Sequence, residues 1–279
     1  LGTTTTAWLI AILGFKFSLA DIALPIIGVG VVVSFCKRAG WRSAGEFLVG
    51  FGLLFMGLEY LKNSVPDIQS HSEVLEWIRE YSNMGFLSVL LFLAFGVILT
   101  LVVQSSAVAI AITITMAAKG WITLDLAAAI VLGENIGTTM TALVAAIPAS
   151  LSGKRAAIAH LLFNVLGVVW MLAVFYWFVD FICWLVPAAG TPAAETLRAM
   201  SITDFDSLTG AARDAALEKV AIPSRLAMFH TMFNLTNICV LIGFVPQIEK
   251  IACWIMKGGA GYKHRTALQR IEYLTSNVS

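Results

Sequence analysis

Apolar residues along this chain come in long blocks, at about 7–15, 20–36, 44–61, 84–103, 106–118, 122–132, 138–150, 156–187 and 224–256. A helix needs about 20 apolar residues to cross a bilayer. Segments 44–61 and 84–103 meet or approach that length, and 20–36 sits near its lower limit. Segments 156–187 and 224–256 exceed one crossing, so they should tilt or bend near Pro187 and Pro246. Segments 106–118, 122–132 and 138–150 are each too short to cross alone. Two polar clusters separate these short pieces. The first is Gln104, Ser105 and Ser106, inside 101-LVVQSSAVAIAITITMAAKG-120. The second is Glu134, Asn135, Thr138 and Thr139, framed by Gly133 and Gly137. The pattern predicts an all-α polytopic membrane protein whose helices break at the polar clusters. Backbone freed from helical bonding cannot face lipid, so both breaks should border a polar cavity.

Composition agrees. Of 279 residues, 59% are apolar and 13% charged, against about 45–50% and about 25% in soluble domains. The net charge of +1 points to no acidic or basic partner. No basic tract with interleaved aromatics suggests nucleic acid.

Loop charge sets the expected orientation. Lys37, Arg38 and Arg42, then Lys154 and Arg155, then Lys257, Lys263, Arg265 and Arg270 mark one side. Loops 63–83 and 188–223 lean acidic. The positive-inside rule places the basic set in the cytoplasm. The chain is then a multi-pass protein of the plasma membrane, or of the inner membrane of a bacterium. Between the outer loop at 63–83 and the inner loop at 151–155 the number of crossings must be odd, yet four apolar pieces lie there. Some of them must be re-entrant, or halves of one broken helix. Cysteines introduced at Ser72 and Ser207 should react with an impermeant thiol reagent on whole cells. Labelling at Ser43 and Ser152 instead would reverse the orientation.

Smaller features fill in the picture. In 74-VLEWIREY-81, Val74, Leu75, Ile78 and Tyr81 share a face, as an interfacial helix would. Trp41, Trp77, Trp121 and Trp254 stand near segment ends as membrane anchors. Cys36, Cys183, Cys239 and Cys253 show no metal-binding spacing and read as inert buried thiols.

The chain also repeats itself. 2-GTTTTAWLIAI-12 matches 137-GTTMTALVAAI-147, and 160-HLLFN-164 matches 230-HTMFN-234. Repeats combined with broken helices recur in secondary transporters. Ser105 and Ser106 should open one short helix, and Thr138 and Thr139 another. Helix N-termini favour an anion. The helix ends near Gln104 and Gly133 present carbonyls, which favour a cation. No Lys or Arg lies at membrane depth in these segments, so a co-bound cation would supply the counter-charge. Glu134 is the one acid at a break, and it either binds that cation or caps backbone. His160, Asn164, His230 and Asn234 pair His and Asn one turn apart. The favoured reading has them bonding across to other helices and supporting the site from behind. The bland alternative for Q-S-S-A is a polar patch that glues helices together.

The pair QSSA and GENIGTT-x-TA, followed by R-A-A-x-A-H-x-x-F-N, resembles the sodium/phosphate cotransporter family over roughly 1–256. The resemblance implies two inverted repeats, each with a re-entrant Q-S-S hairpin, and phosphate and sodium bound between them. Residues 1–62 would be the remainder of a first repeat, 63–83 an external loop with an interfacial helix, and 84–256 a second repeat containing the external loop 188–223. Residues 257–279 would be a cytoplasmic tail, and 266–279 resembles the start of a PhoU-like helical domain. Phosphate would be held by Ser105, Ser106, Asn135, Thr138 and Thr139, with Thr3 and Thr4 as first-repeat counterparts. Sodium would be held by Gln104, Ser105, Glu134 and Asn135. The implied activity is sodium-coupled phosphate symport, with no cofactor beyond the coupling ion and no enzymatic step. The partners would be phosphate, sodium and the bilayer, and an oligomer is compatible with this. The chain departs from the family in two ways. A first Q-S-S element would precede residue 1, and Ala107 stands where a third serine is common. Transport of another small anion, a membrane signalling or scaffold subunit, and an intramembrane serine hydrolase are the competing readings.

Overall fold

The computed structural model describes residues 2–13, 19–64, 76, 78, 80–191, 194 and 210–257. Among these, all regular structure is helical. The first three helices are α1 (Gly2–Leu13), α2 (Leu19–Ser34) and α3 (Ala39–Ser64). They are followed by α4 (Phe86–Val103), α5 (Ser106–Ala118), α6 (Leu124–Ala145), α7 (Leu151–Ala173) and α8 (Phe175–Leu185). The described chain ends with α9 (Gly210–Leu241), a 3-10 turn at Ile242–Phe244, and α10 (Val245–Ile255). Among the described residues, five segments are long and apolar enough to cross a membrane: Ala39–Leu61, Phe86–Val103, Leu124–Ala145, Leu151–Ala173 and Gly210–Ile255. The outer surface matches a lipid solvent, with Val32, Phe35, Trp177 and Trp184 each more than 70% exposed. Water would not tolerate apolar exposure on this scale.

The first predicted break is present. Helix α4 ends at Val103, and Gln104 takes a left-handed conformation (φ 56°, ψ 21°) while its N–H still reaches Thr100 O at 2.8 Å. Extended Ser105 then starts α5, its hydroxyl accepting from Val108 N at 3.4 Å. The left-handed region costs an ordinary residue about 1–2 kcal/mol, which the tight reversal imposes here. Both open ends of this hairpin lie at one end of the bundle. Leu91 and Phe92 of α4 line an apolar cavity with Met116 of α5, Trp121, Ile78 and Tyr81. The 13 residues of α5 span about 20 Å, too short for a crossing, so α4 and α5 form the expected re-entrant pair.

The second predicted break is absent. Helix α6 runs without interruption through Glu134–Thr139, and its 22 residues suffice for one crossing. Segments 122–132 and 138–150 are therefore one span, and Thr138 and Thr139 open no helix. Two features explain this. First, the polar side chains bond to their own helix: Asn135 Nδ2 to Val131 O at 2.9 Å, Thr138 Oγ1 to Glu134 O at 2.8 Å, and Thr139 Oγ1 to Ile136 O at 2.6 Å. Second, Gly133 and Gly137 let α4 approach. A Cβ on Gly133 would lie 2.0 Å from Leu93 O, and one on Gly137 would lie 2.7 Å from Thr100 Cβ. With the hairpin returning to its own side, α6 would be the one crossing between the two loops, and the count would stay odd.

The two long segments bend where local geometry allows. Segment 156–187 breaks at Val174 (φ −116°, ψ 16°), not at Pro187. Segment 224–256 turns through Ile242–Phe244, with Pro246 at the start of α10. Buried Arg225 of α9 donates to Val186 O at 3.1 Å and pairs with Glu218, tying α9 to the end of α8.

The interfacial features are partly visible. Helix α10 buries Ile248 and Ala252 and exposes Trp254, over which Lys257 Nζ sits 5.4 Å from the ring centroid. Ile78 is buried, while Val74, Leu75 and Trp77 lie outside the described residues. So do the tail from 258 onward, most of the loop 63–83, and residues 192, 193 and 195–209 of the loop 188–223. The cysteines are all free, but none is fully buried: Cys36 and Cys239 are exposed, and Cys183 and Cys253 are partly so. The expectation of buried thiols is thereby corrected, since the apolar segments that carry them face outward.

Candidate functional site: a polar cavity at the hairpin tip

Where the tip of the α4–α5 hairpin meets α1, α6, α7 and α9, the chain lines a half-open cavity of about 250 Å³. At about 30 Å³ of liquid per water, it could hold roughly eight water molecules. Ser106 enters from the first turn of α5, and Thr3 from α1; their hydroxyls share a 3.0 Å hydrogen bond. Thr3 is the repeat counterpart of Thr138, which lines the same cavity from α6. The two copies of the motif thus converge on one space.

Glu134 lies beside Thr138 on that wall, buried, with Oε1 accepting from Thr113 Oγ1 at 2.7 Å. Asn135 completes the α6 contribution. The four His and Asn residues are also lining residues. They do not bond across to other helices from behind. Asn164 Nδ2 donates to His160 O at 3.1 Å, and Asn234 Nδ2 to His230 O at 2.8 Å. Each pair is closed on itself, because a side chain can reach the carbonyl one turn back on the same helix. His230 is buried and its Nδ1 has no partner. No Lys or Arg is among the lining residues.

Other expected contacts fall away. Gln104, Ser105, Thr4 and Thr139 do not line the cavity. Gln104 is exposed in the reversal itself, and the Ser105 hydroxyl is spent as a helix cap. Thr4 and Thr139 are buried behind the wall. Ser106 alone of the Q-S-S residues reaches the space, because the turn at Gln104 points the first residue of α5 inward. Phe163 and Ile238 also line the cavity. Phe163 is the aromatic of the repeated HLLFN motif, whereas nothing in the sequence marked Ile238, one apolar residue within an apolar run.

An apolar helical bundle with several segments able to cross a bilayer, and a helical hairpin over a polar cavity, is that of a polytopic membrane protein. The Na+/Pi-cotransporter family profile matches residues 1–63 and 72–179, more than half of the chain, and the chain belongs to that family. Among curated relatives, it is 32% identical over 156 residues to uncharacterized protein YqeW of Bacillus subtilis (strain 168), covering 54% of this chain and 48% of that one. It is 24% identical over 254 residues to the putative inorganic phosphate export protein YjbB of Escherichia coli (strain K12), covering 90% and 39%. It is 37% identical over 140 residues to sodium-dependent phosphate transport protein 2C of Homo sapiens, covering 46% and 22%. The chain therefore spans about half or less of the length of these relatives. No solved structure matches it.

Proposed function

We propose that this chain forms part of a sodium-coupled symporter that carries inorganic phosphate across the plasma membrane or bacterial inner membrane. One observation carries the reading: Thr3 and Thr138, from two copies of one motif, meet Ser106 of the hairpin tip in a single cavity. Ser106 brings a hydroxyl and the first turn of α5, whose free N–H groups and positive dipole end favour an anion. The wall also favours a cation. Asn135, Asn164 and Asn234 each give an amide N–H to a backbone carbonyl, which fixes the nitrogen against its own helix and leaves the amide oxygen free to accept a cation. Glu134 adds a carboxyl group. With no Lys or Arg among the lining residues, an oxygen-bound sodium ion is the natural counter-charge to a buried phosphate. On this reading phosphate is held by Ser106, Thr3 and Thr138, and sodium by Glu134 and Asn135.

A relative named as an export protein favours a second direction of transport. The hydrolase reading is disfavoured, because the Ser106 hydroxyl is paired with Thr3. The test is radiolabelled phosphate flux in proteoliposomes of the full-length protein. Inward sodium gradients should drive uptake, and replacing sodium with choline should abolish it. Equal flux without sodium would remove the coupling, and flux of sulfate but not phosphate would remove the substrate.

A further inference from the structure

A second cavity, of about 400 Å³, lies between α7 and α10 at the end of the bundle where α6 gives way to α7. Its lining includes Ser152, Arg155, Ala156 and Ala159 of α7, and Glu249 and Cys253 of α10. Phe163 lines it as well, and Phe163 is the one lining residue it shares with the central cavity. We infer that this second cavity is the passage between the central cavity and the Arg155 face of the molecule, and that the Phe163 side chain is the gate that closes it. The inference rests on the reading that the central cavity holds the transported ions.

Three observations carry it. Residues 152, 155, 156, 159 and 163 follow helical spacing, so the second cavity tracks one face of α7 from its first turn to the Phe163 ring. Those 11 residue steps cover about 16 Å. Small side chains at Ala156 and Ala159 keep that face open. Next, the repeat counterpart of Phe163 is Phe233, which is fully buried in the core. The same motif position therefore packs in one copy and stands between two cavities in the other. Finally, Arg155 donates through Nε and a terminal nitrogen to Met256 O at 3.3 and 3.2 Å, which pins the end of α10 beside the second cavity. The lining carries one group of each charge sign, Arg155 and Glu249. That suits the joint passage of an anion and a cation and would select strongly for neither. A single aromatic ring needs only a side-chain rotation, or a small shift of α7, to join the two spaces.

The test uses the full-length protein in vesicles, with Cys36, Cys183, Cys239 and Cys253 replaced by serine. Ile238 of the central cavity is changed to cysteine, and an anionic, impermeant methanethiosulfonate is applied to each side. The side that labels Ser152→Cys identifies the Arg155 face. From that face, Ile238→Cys should react slowly when Phe163 is present. It should react at least tenfold faster with Phe163→Ala and at an intermediate rate with Phe163→Leu, a milder change should the alanine variant fail to accumulate. Equal rates with Phe163 and either replacement would overturn the gate. Labelling requires no transported ion, so it is independent of the function reading. The expected rates without phosphate flux would leave the gate standing and remove the phosphate reading. Phosphate flux with unchanged rates would do the reverse.

Discussion

Gly133→Ala is expected to cost the protein most of its folded yield, although alanine is the best helix former. The added Cβ would stand 2.0 Å from Leu93 O, and 2.9 Å from both Leu93 C and Val97 N. All three are backbone atoms of α4, so no side-chain rotation relieves the clash and the two helices must separate. Overpacking of this kind costs about 1–3 kcal/mol, occasionally more. A backbone obstacle belongs at the upper end, a large share of the roughly 5–15 kcal/mol that holds a native fold together. The control is Gly57→Ala in α3, where the new methyl group meets nothing within 4 Å. It should be neutral or gain up to about 1 kcal/mol of helix propensity. Monodisperse yield after detergent extraction and the thermal midpoint measure both. Wild-type values for Gly133→Ala would show that α4 and α6 are not packed this closely.

Ser106→Ala should weaken apparent phosphate affinity by roughly 10- to 150-fold, whereas Ser105→Ala should leave it nearly unchanged. A hydrogen bond to a charged ligand is worth about 1.5–3 kcal/mol, and each 1.4 kcal/mol is tenfold in affinity. The Ser106 hydroxyl lines the cavity, so its loss should be read in ligand binding. The Ser105 hydroxyl caps α5 instead, so its loss should be read as about 1 kcal/mol of stability. Phosphate-dependent flux and thermal midpoints, measured on both variants, separate the two. An affinity loss confined to Ser105→Ala would mean that the hairpin tip is turned differently from its position here.

The contrast between the two polar clusters shows what could be read from the chain itself. Gln104–Ser106 interrupts an apolar run with residues that suit a reversal and a cap, and the structure reverses there. Glu134–Thr139 carries the same kinds of residues and yet stays helical. Its hydroxyl and amide groups have carbonyl partners three or four residues back, and a pattern read along the chain does not say which partner they take. Gly133 and Gly137 looked like helix breakers. Their spacing is also that of close helix contacts in membranes, and only the presence of α4 decides between the two. The convergence of Thr3 and Thr138 was legible because the repeat is written in the residues. The direct placement of His160, Asn164, His230 and Asn234 on the cavity wall was not, since it depends on how α7 and α9 are rotated. Phe163 stood in the repeated motif, but its place on the cavity wall was hidden for the same reason.

If the cavity holds the transported ions as proposed, the three wall asparagines, each tethered one turn back along its own helix, set how a guest must arrive and leave. A side chain held in this way has no rotamers left to lose when an ion binds, so little ordering entropy opposes capture. The same tether opposes release by a swing of the amide, because turning away would break the bond to the carbonyl one turn back. To weaken its grip, the wall must carry its oxygens apart by moving α6, α7 and α9 as whole rods. Loading should then be limited by diffusion and dehydration of the ions, and the slow step of each cycle by helix displacement, with the steeper temperature dependence that collective motion brings.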